Sequence, residues 1–145
     1  MLIASQSPDR AEALHKESCD YGSALGCANY AALFYPHRDL AVAILYLEKA
    51  CNLKDSTSCT NVGLLAQQDG NTKRAELYLG KGCVLGEGPA CVSWKASAEK
   101  LCKSDGPGCL EAAGRYEDQG EVIDADFMLT VACDAGFAAA CQPVH

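Results

Sequence analysis

Ten cysteines constrain this chain more than any other feature: Cys19, Cys27, Cys51, Cys59, Cys83, Cys91, Cys102, Cys109, Cys133 and Cys141. Taken in consecutive pairs they stand 8, 8, 8, 7 and 8 residues apart, and the gaps between pairs are 24, 24, 11 and 24. Cys19, Cys51 and Cys83 mark a period of 32 residues, and a fixed period of this size is the signature of a repeat architecture. The step from Cys83 to Cys102 is 19, so one unit lacks 13 residues, and the next step, to Cys133, is 31.

If each unit solves its pairing in the same way, the simplest bridges join Cys19 to Cys27, Cys51 to Cys59, Cys83 to Cys91, Cys102 to Cys109 and Cys133 to Cys141. A bridge needs Cα atoms within roughly 7 Å. Eight residues along one straight helix span about 12 Å, so the chain must turn back inside each pair. Gly22, Gly86 and Gly136 lie three positions after their cysteines, where glycine ends a helix in the left-handed conformation. Gly106 sits one position later and suits the shorter spacing. A zinc reading fits less well. Structural zinc sites favour short C-x2-4-C clusters, and His15, His37 and His145 do not recur with the period. Persistent disulfides imply an oxidising compartment.

The remaining composition is that of one globular domain. The 145 residues are 49% hydrophobic and 21% charged, which excludes disorder as the main state. A net charge of -7, from 19 acidic and 12 basic residues, argues against a nucleic-acid partner, which needs a basic footprint. The most apolar run, Leu40 to Leu47, falls well short of the roughly 18 residues of a membrane span. The N-terminal Met-Leu-Ile-Ala-Ser-Gln-Ser-Pro has no basic n-region and does not read as a signal peptide. Given the cysteines, the expectation is an export leader already removed. No Asn-x-Ser/Thr sequon occurs.

The segments leading into the first cysteine of each pair align. Ala43, Ala75 and Ala125 coincide, followed by Leu45, Leu77 and Phe127, then Tyr46, Tyr78 and Met128, then Leu47, Leu79 and Leu129. Apolar positions at helical spacing predict a helix, here termed B, starting near Asp39, Asn71 or Thr72, and Asp124. The segments after the second cysteine align too, with Gly70 and Gly120 each eleven residues beyond it as helix C-terminal glycines. This is helix A. Gly63 and Gly114 inside it cost roughly 1 kcal/mol each against alanine, a cost expected where a neighbouring backbone comes close. The first copy should end near Tyr35-Pro36-His37.

The predicted fold is all-α: αα-hairpins stacked into a repeat solenoid, one disulfide per repeat. It forms a single domain over residues 1–145. A cap helix spans 8–19, repeats span 23–51, 55–83, 87–102 (shortened) and 106–133, and a second cap helix spans 137–142. Between Cys91 and Cys102 the expectation is one helix or two stubs, unpaired or stunted, with Trp94 covering the apolar faces left bare.

The sequence Ala-Ile-Leu-Tyr-Leu-Glu-Lys-Ala-Cys at 43–51, its counterpart at 75–83, the stretch Gly114 to Gly120 and the C-x7-C spacing resemble Sel1-like repeats. More narrowly, they are similar to the Helicobacter cysteine-rich protein family, a TPR-like fold whose repeats carry one disulfide each. The resemblance covers most of residues 8–142, with a period a few residues shorter than usual and a truncated third repeat. It implies a periplasmic or secreted protein that binds partners on a concave surface. A similar disulfide-bonded repeat occurs in a mitochondrial intermembrane-space assembly factor, which makes that compartment the alternative. Some members of the resembled family bind penicillin or hydrolyse β-lactams weakly.

Catalytic motifs are sparse. Ser97-Ala-Glu-Lys100 matches S-x-x-K, but K-T-G is absent and Ser104-Asp105-Gly106 is only two-thirds of S-D-N. Glu117-Asp118 and Asp124-Asp126 fall at helix ends and starts, with no EF-hand pattern around them. No cofactor is called for. What remains is a surface: by alignment Asn29, Tyr30, Asn61, Glu111 and Arg115 should line a groove made by A helices. Such side chains suit recognition of a protein, a peptide or a cell-wall fragment. The sequence-level expectation is a non-catalytic binding scaffold, with a weak β-lactam-binding hydrolase as the alternative.

Overall fold

A computed structural model describes residues 8–35, 39–120 and 123–141. Among these the chain is entirely helical. The α-helices are α1 (Pro8–Asp20), α2 (Ala24–Ala32), α3 (Leu40–Asn52), α4 (Ser56–Gln68), α5 (Thr72–Val84), α6 (Gly88–Ser104), α7 (Gly106–Gln119) and α8 (Ala125–Asp134), followed by a 3-10 turn, Ala138–Cys141. At the expected end of the first A helix, Pro36 and His37 lie outside the described residues, as do His145 and residue 142 of the expected cap.

All five disulfides join sequence neighbours, with Cα separations of 4.4 to 4.9 Å. The turn inside most of them repeats atom for atom. Gly22, Gly86 and Gly136 adopt φ of 94°, 98° and 101°. The next backbone N–H then reaches back across the helix end: Ser23 to Ser18 O, Glu87 to Gly82 O and Phe137 to Ala132 O, each at 3.0 Å. This closes the helix by a six-to-one bond and satisfies carbonyls that would otherwise be orphaned. The second unit makes the same turn without glycine. Lys54 stands there at φ 78°, and Asp55 N bonds Ala50 O at 3.0 Å.

The residue after each turn starts the next helix. Ser23, Asp55 and Asp105 cap α2, α4 and α7, and Asp39, Asn71 and Asp124 cap α3, α5 and α8, each accepting from a backbone N–H 2.9 to 3.3 Å away. Glu87, before α6, makes no such cap; its carboxylate accepts from Ser56 Oγ at 3.2 Å. Buried Ala43, Leu47 and Ala50 form the inward stripe of α3 at i, i+4 and i+7, while Leu45, aligned as apolar in sequence, faces outward and is 49% exposed.

Of the two forms expected for the third unit, one helix or two stubs, the structure has the first: residues 88–104 form a single helix, and at 17 residues it is not stunted. It opens like an A helix, with Cys91 as its fourth residue, the place of Cys59 in α4. It closes like a B helix, with Cys102 near its end. With 13 fewer residues than the 32-residue spacing, this stretch has room for one helix where the neighbouring stretches carry two. Trp94 is buried within the largest core cluster, with Leu79, Leu101 and Met128.

A single helix at this point sets the positions of the later helices. Side chains link α3 to α5 (the Glu48–Arg74 ion pair, and Lys81 Nζ to Asn52 Oδ1 at 3.2 Å) and α5 to α7 (Arg115 Nη2 to Glu76 Oε1 at 3.4 Å). Gln67 of α4 meets Ser97 of α6, and α6 packs on α8. Odd- and even-numbered helices thus form two rows. Before α6 the A helices occupy the even row; after it, α7, an A helix by sequence, stands in the odd row. Asp105 makes this corner alone, ending α6 and capping α7.

Candidate functional site

The five residues expected to share one groove do not share one. Asn61 is exposed on α4 and lines a groove between α2 and α4, with Ala31, Leu47, Leu64 and Leu65. Asn29 is half-buried on α2. Tyr30 is buried instead of surface-lining: its ring meets Phe34 at 5.0 Å and Tyr46 at 4.5 Å, both edge-on. It sits one helical turn beyond Cys27, on the face that packs against α3, so it is core. Glu111 and Arg115 are on α7 and border a hollow with Asn71, Lys73 and Arg74 beside α5. The shift of α7 into the odd row separates them from Asn61.

The S-x-x-K serine is also inward. Ser97 is 4% exposed, and its Oγ accepts from Gln67 Nε2 at 2.8 Å. That bond links α4 to α6. Glu117 and Asp118 are exposed at the end of α7, and Asp124 serves as a helix cap.

Two arrangements were not expected from sequence. The first is a buried carboxylate. Glu76, on α5, is 2% exposed. Its Oε2 accepts from Trp94 Nε1 at 3.0 Å and from the Tyr116 hydroxyl, and its Oε1 from Arg115. Three helices are tied at one acid. Burial, reinforced by Glu76, pushes the Tyr116 hydroxyl well above the usual tyrosine range. Burial works against the Arg115 guanidinium, but Tyr116 and Glu76 outweigh it and hold the charge more firmly than usual. Gly80 allows this approach, since a Cβ there would collide with the Tyr116 hydroxyl.

The second is a cavity of about 260 Å³ between the end of α3, the outer face of α5 and the end of α7. Three cations line it, Lys54, Lys81 and Arg115, and no acidic residue does. Leu77, Val84 and Leu85 supply its apolar wall. Lys81 lies 5.0 Å from the Tyr78 ring centre, across which Arg74 also stacks. Burial pushes the Lys81 ammonium below the usual lysine range, and the charges of Arg115 and Lys54 push it the same way.

Sequence held a signal for the second alone: Lys54 stands where three aligned units carry glycine, whereas Glu76 shares its aligned column with Ile44 and with another acid, Asp126.

No protein-family model matches this chain, and no curated protein matches it significantly. The reading of function therefore rests on the chain's own residues. No helix among those described is long and apolar enough to cross a membrane. Five disulfides mark an oxidising, extracellular or secreted setting.

Proposed function

We propose that this chain is a non-catalytic binding scaffold, a Sel1-like repeat solenoid stapled at each corner, working in the periplasm or as a secreted protein. Recurrent turns, recurrent caps and one bridge per corner support the repeat reading. The groove between α2 and α4 carries the functional one. It has an apolar floor of Ala31, Leu47 and Leu65, with the amides of Asn61 and Gln68 among its lining side chains. It holds about 330 Å³ and contains a single acid, Asp55, whose carboxylate already caps α4. Amides beside an apolar floor suit an extended peptide segment of a protein partner, whose backbone needs both donors and acceptors.

The hydrolase alternative has no comparable support, because the hydroxyl of Ser97 is buried and bonded. Panning a peptide library on the oxidised chain tests the proposal. Selected peptides should lose binding to the paired variants Asn61→Ala and Leu64→Asp, and to reduced, alkylated chain. Full binding after reduction, or β-lactam turnover abolished by Ser97→Ala, would overturn it.

A further inference from the structure

The cavity of Lys54, Lys81 and Arg115 has no role in the peptide groove, which lies in the other row of helices. We infer that it binds the terminal carboxylate of a peptide ending in an apolar residue. Three observations carry this. First, three cationic side chains converge on one hollow in a protein whose net charge is -7. Of these, Arg115 is partly engaged by Glu76 at 3.4 Å, and Lys81 is held only by the neutral Asn52 amide, at 3.2 Å, and the Tyr78 ring. Neither lysine has a carboxylate partner among the described residues. Converging like charges repel one another, and the depressed proton affinity of Lys81 reports that repulsion together with its burial. An anion placed among them relieves it.

Second, the charges are built on rigid elements. Lys81 projects from the last turn of α5 and Arg115 from α7, where Glu76 and the Tyr116 ring fix it. Lys54 is the one non-glycine residue with positive φ among those described. A lysine there bears a backbone cost of about 1–2 kcal/mol that the glycines of the other units avoid. Strain retained at such a position motivates a functional reading of the side chain.

Third, the apolar wall adjoins the charges. Leu77, Val84 and Leu85 line the same hollow. A chain terminus carries its carboxylate and its side chain on one residue and fits such a divided cavity. An internal Asp or Glu puts its anion at the end of its own side chain and must borrow apolar contact from neighbours.

The test titrates the oxidised full chain at neutral pH with three probes: N-acetyl-Ala-Ala-Leu as the free acid, the same peptide as its amide, and N-acetyl-Ala-Asp-Leu amide. Binding is read by calorimetry and by NMR shifts of the cavity residues. The free acid should bind about tenfold or more tightly than either amide, the factor expected of a charge-assisted contact. Lys81→Gln and Lys54→Gln should each weaken it several-fold, and salt should weaken it further. Lys49→Gln, an exposed lysine outside the cavity, should change nothing, and circular dichroism confirms that each variant is folded. Asn61→Ala should leave this binding intact, which separates it from the α2–α4 groove. Equal binding of acid and amide, indifference to both cavity lysines, or preference for the internal aspartate would overturn the inference.

Discussion

Cys91 and Cys102 stand eleven residues apart on one helix and are bonded to different neighbours, Cys91 to α5 and Cys102 to α7. Helix α6 is therefore clamped at both ends. In the chain-entropy model a closed loop such as that from Cys83 to Cys91, with a sequence separation of 8, contributes about 2.6 kcal/mol. Replacing Cys83 and Cys91 together by serine should lower the unfolding free energy by up to that amount, since the segment is already ordered by its turn. Urea denaturation of the variant measures the loss. An unchanged midpoint would mean that the bridge adds nothing to the turn.

Glu76 should be the most sensitive polar position. Glu76→Ala strips Trp94 and Tyr116 of their acceptor inside the core, at about 1–3 kcal/mol for each orphaned donor. We expect about 2–4 kcal/mol of destabilisation and a red shift of Trp94 emission. A double-mutant cycle with Tyr116→Phe should show coupling, because the two groups share one contact. Strict additivity would contradict the network.

Gly63 and Gly114, paired by sequence as close-approach glycines, should part company. A Cβ on Gly63 would stand 2.9 Å from the backbone N of Leu79, whereas one on Gly114 meets nothing within 4 Å. Gly63→Ala should destabilise by about 1–3 kcal/mol through overpacking. Gly114→Ala should stabilise by about 0.5–1 kcal/mol through helix propensity. Thermal melts of both variants decide it.

Lys54→Gly should raise stability by about 0.5–1 kcal/mol, by relieving positive φ at some cost in unfolded-state entropy. The same change should weaken carboxylate binding. A variant more stable yet poorer at binding is the expected signature; a less stable one would refute the strain argument.

Tyr116 predicts an alkaline limit. Its hydroxyl holds its proton more tightly folded than unfolded. A group raised in this way contributes fully below its unfolded value, near 10, and its contribution is lost as pH climbs from there toward the folded value. Stability should therefore fall above about pH 10, and Tyr116→Phe should flatten that fall. Equal slopes in both proteins would exclude Tyr116 as the cause.

What was legible in sequence was local. Disulfide partners eight residues apart, caps such as Asp39 and Asn71, and the turn glycines 22, 86 and 136 depend on neighbours within a turn or two, and each repeats. The burial of Trp94 was legible because a large apolar residue in a short unit has few other uses. What was not legible depends on distant partners. Glu76 and Tyr116 are 40 residues apart, and nothing near either names the other. The expected groove failed as a single surface because alignment assigns faces by repeat position. Arg115 stands on the side of α5 because one helix, not two, precedes α7, which its local pattern does not reveal. Tyr30 was misplaced for a simpler reason: periodicity marks a helix face but not which neighbour covers it.

The single helix α6 also bears on how such a chain can grow or shrink. Excision of a whole hairpin removes two helices and leaves every later residue on its former side. Excision that costs a single helix turns the later units over, so that residues of one row are offered to the other. Arg115 of α7 stands beside Lys81 of α5 and Lys54 of the turn before α4, a placement that a second helix between Cys91 and Cys102 would undo. A single short deletion can thus compose a new binding surface from old parts, with no substitution at any residue that lines it.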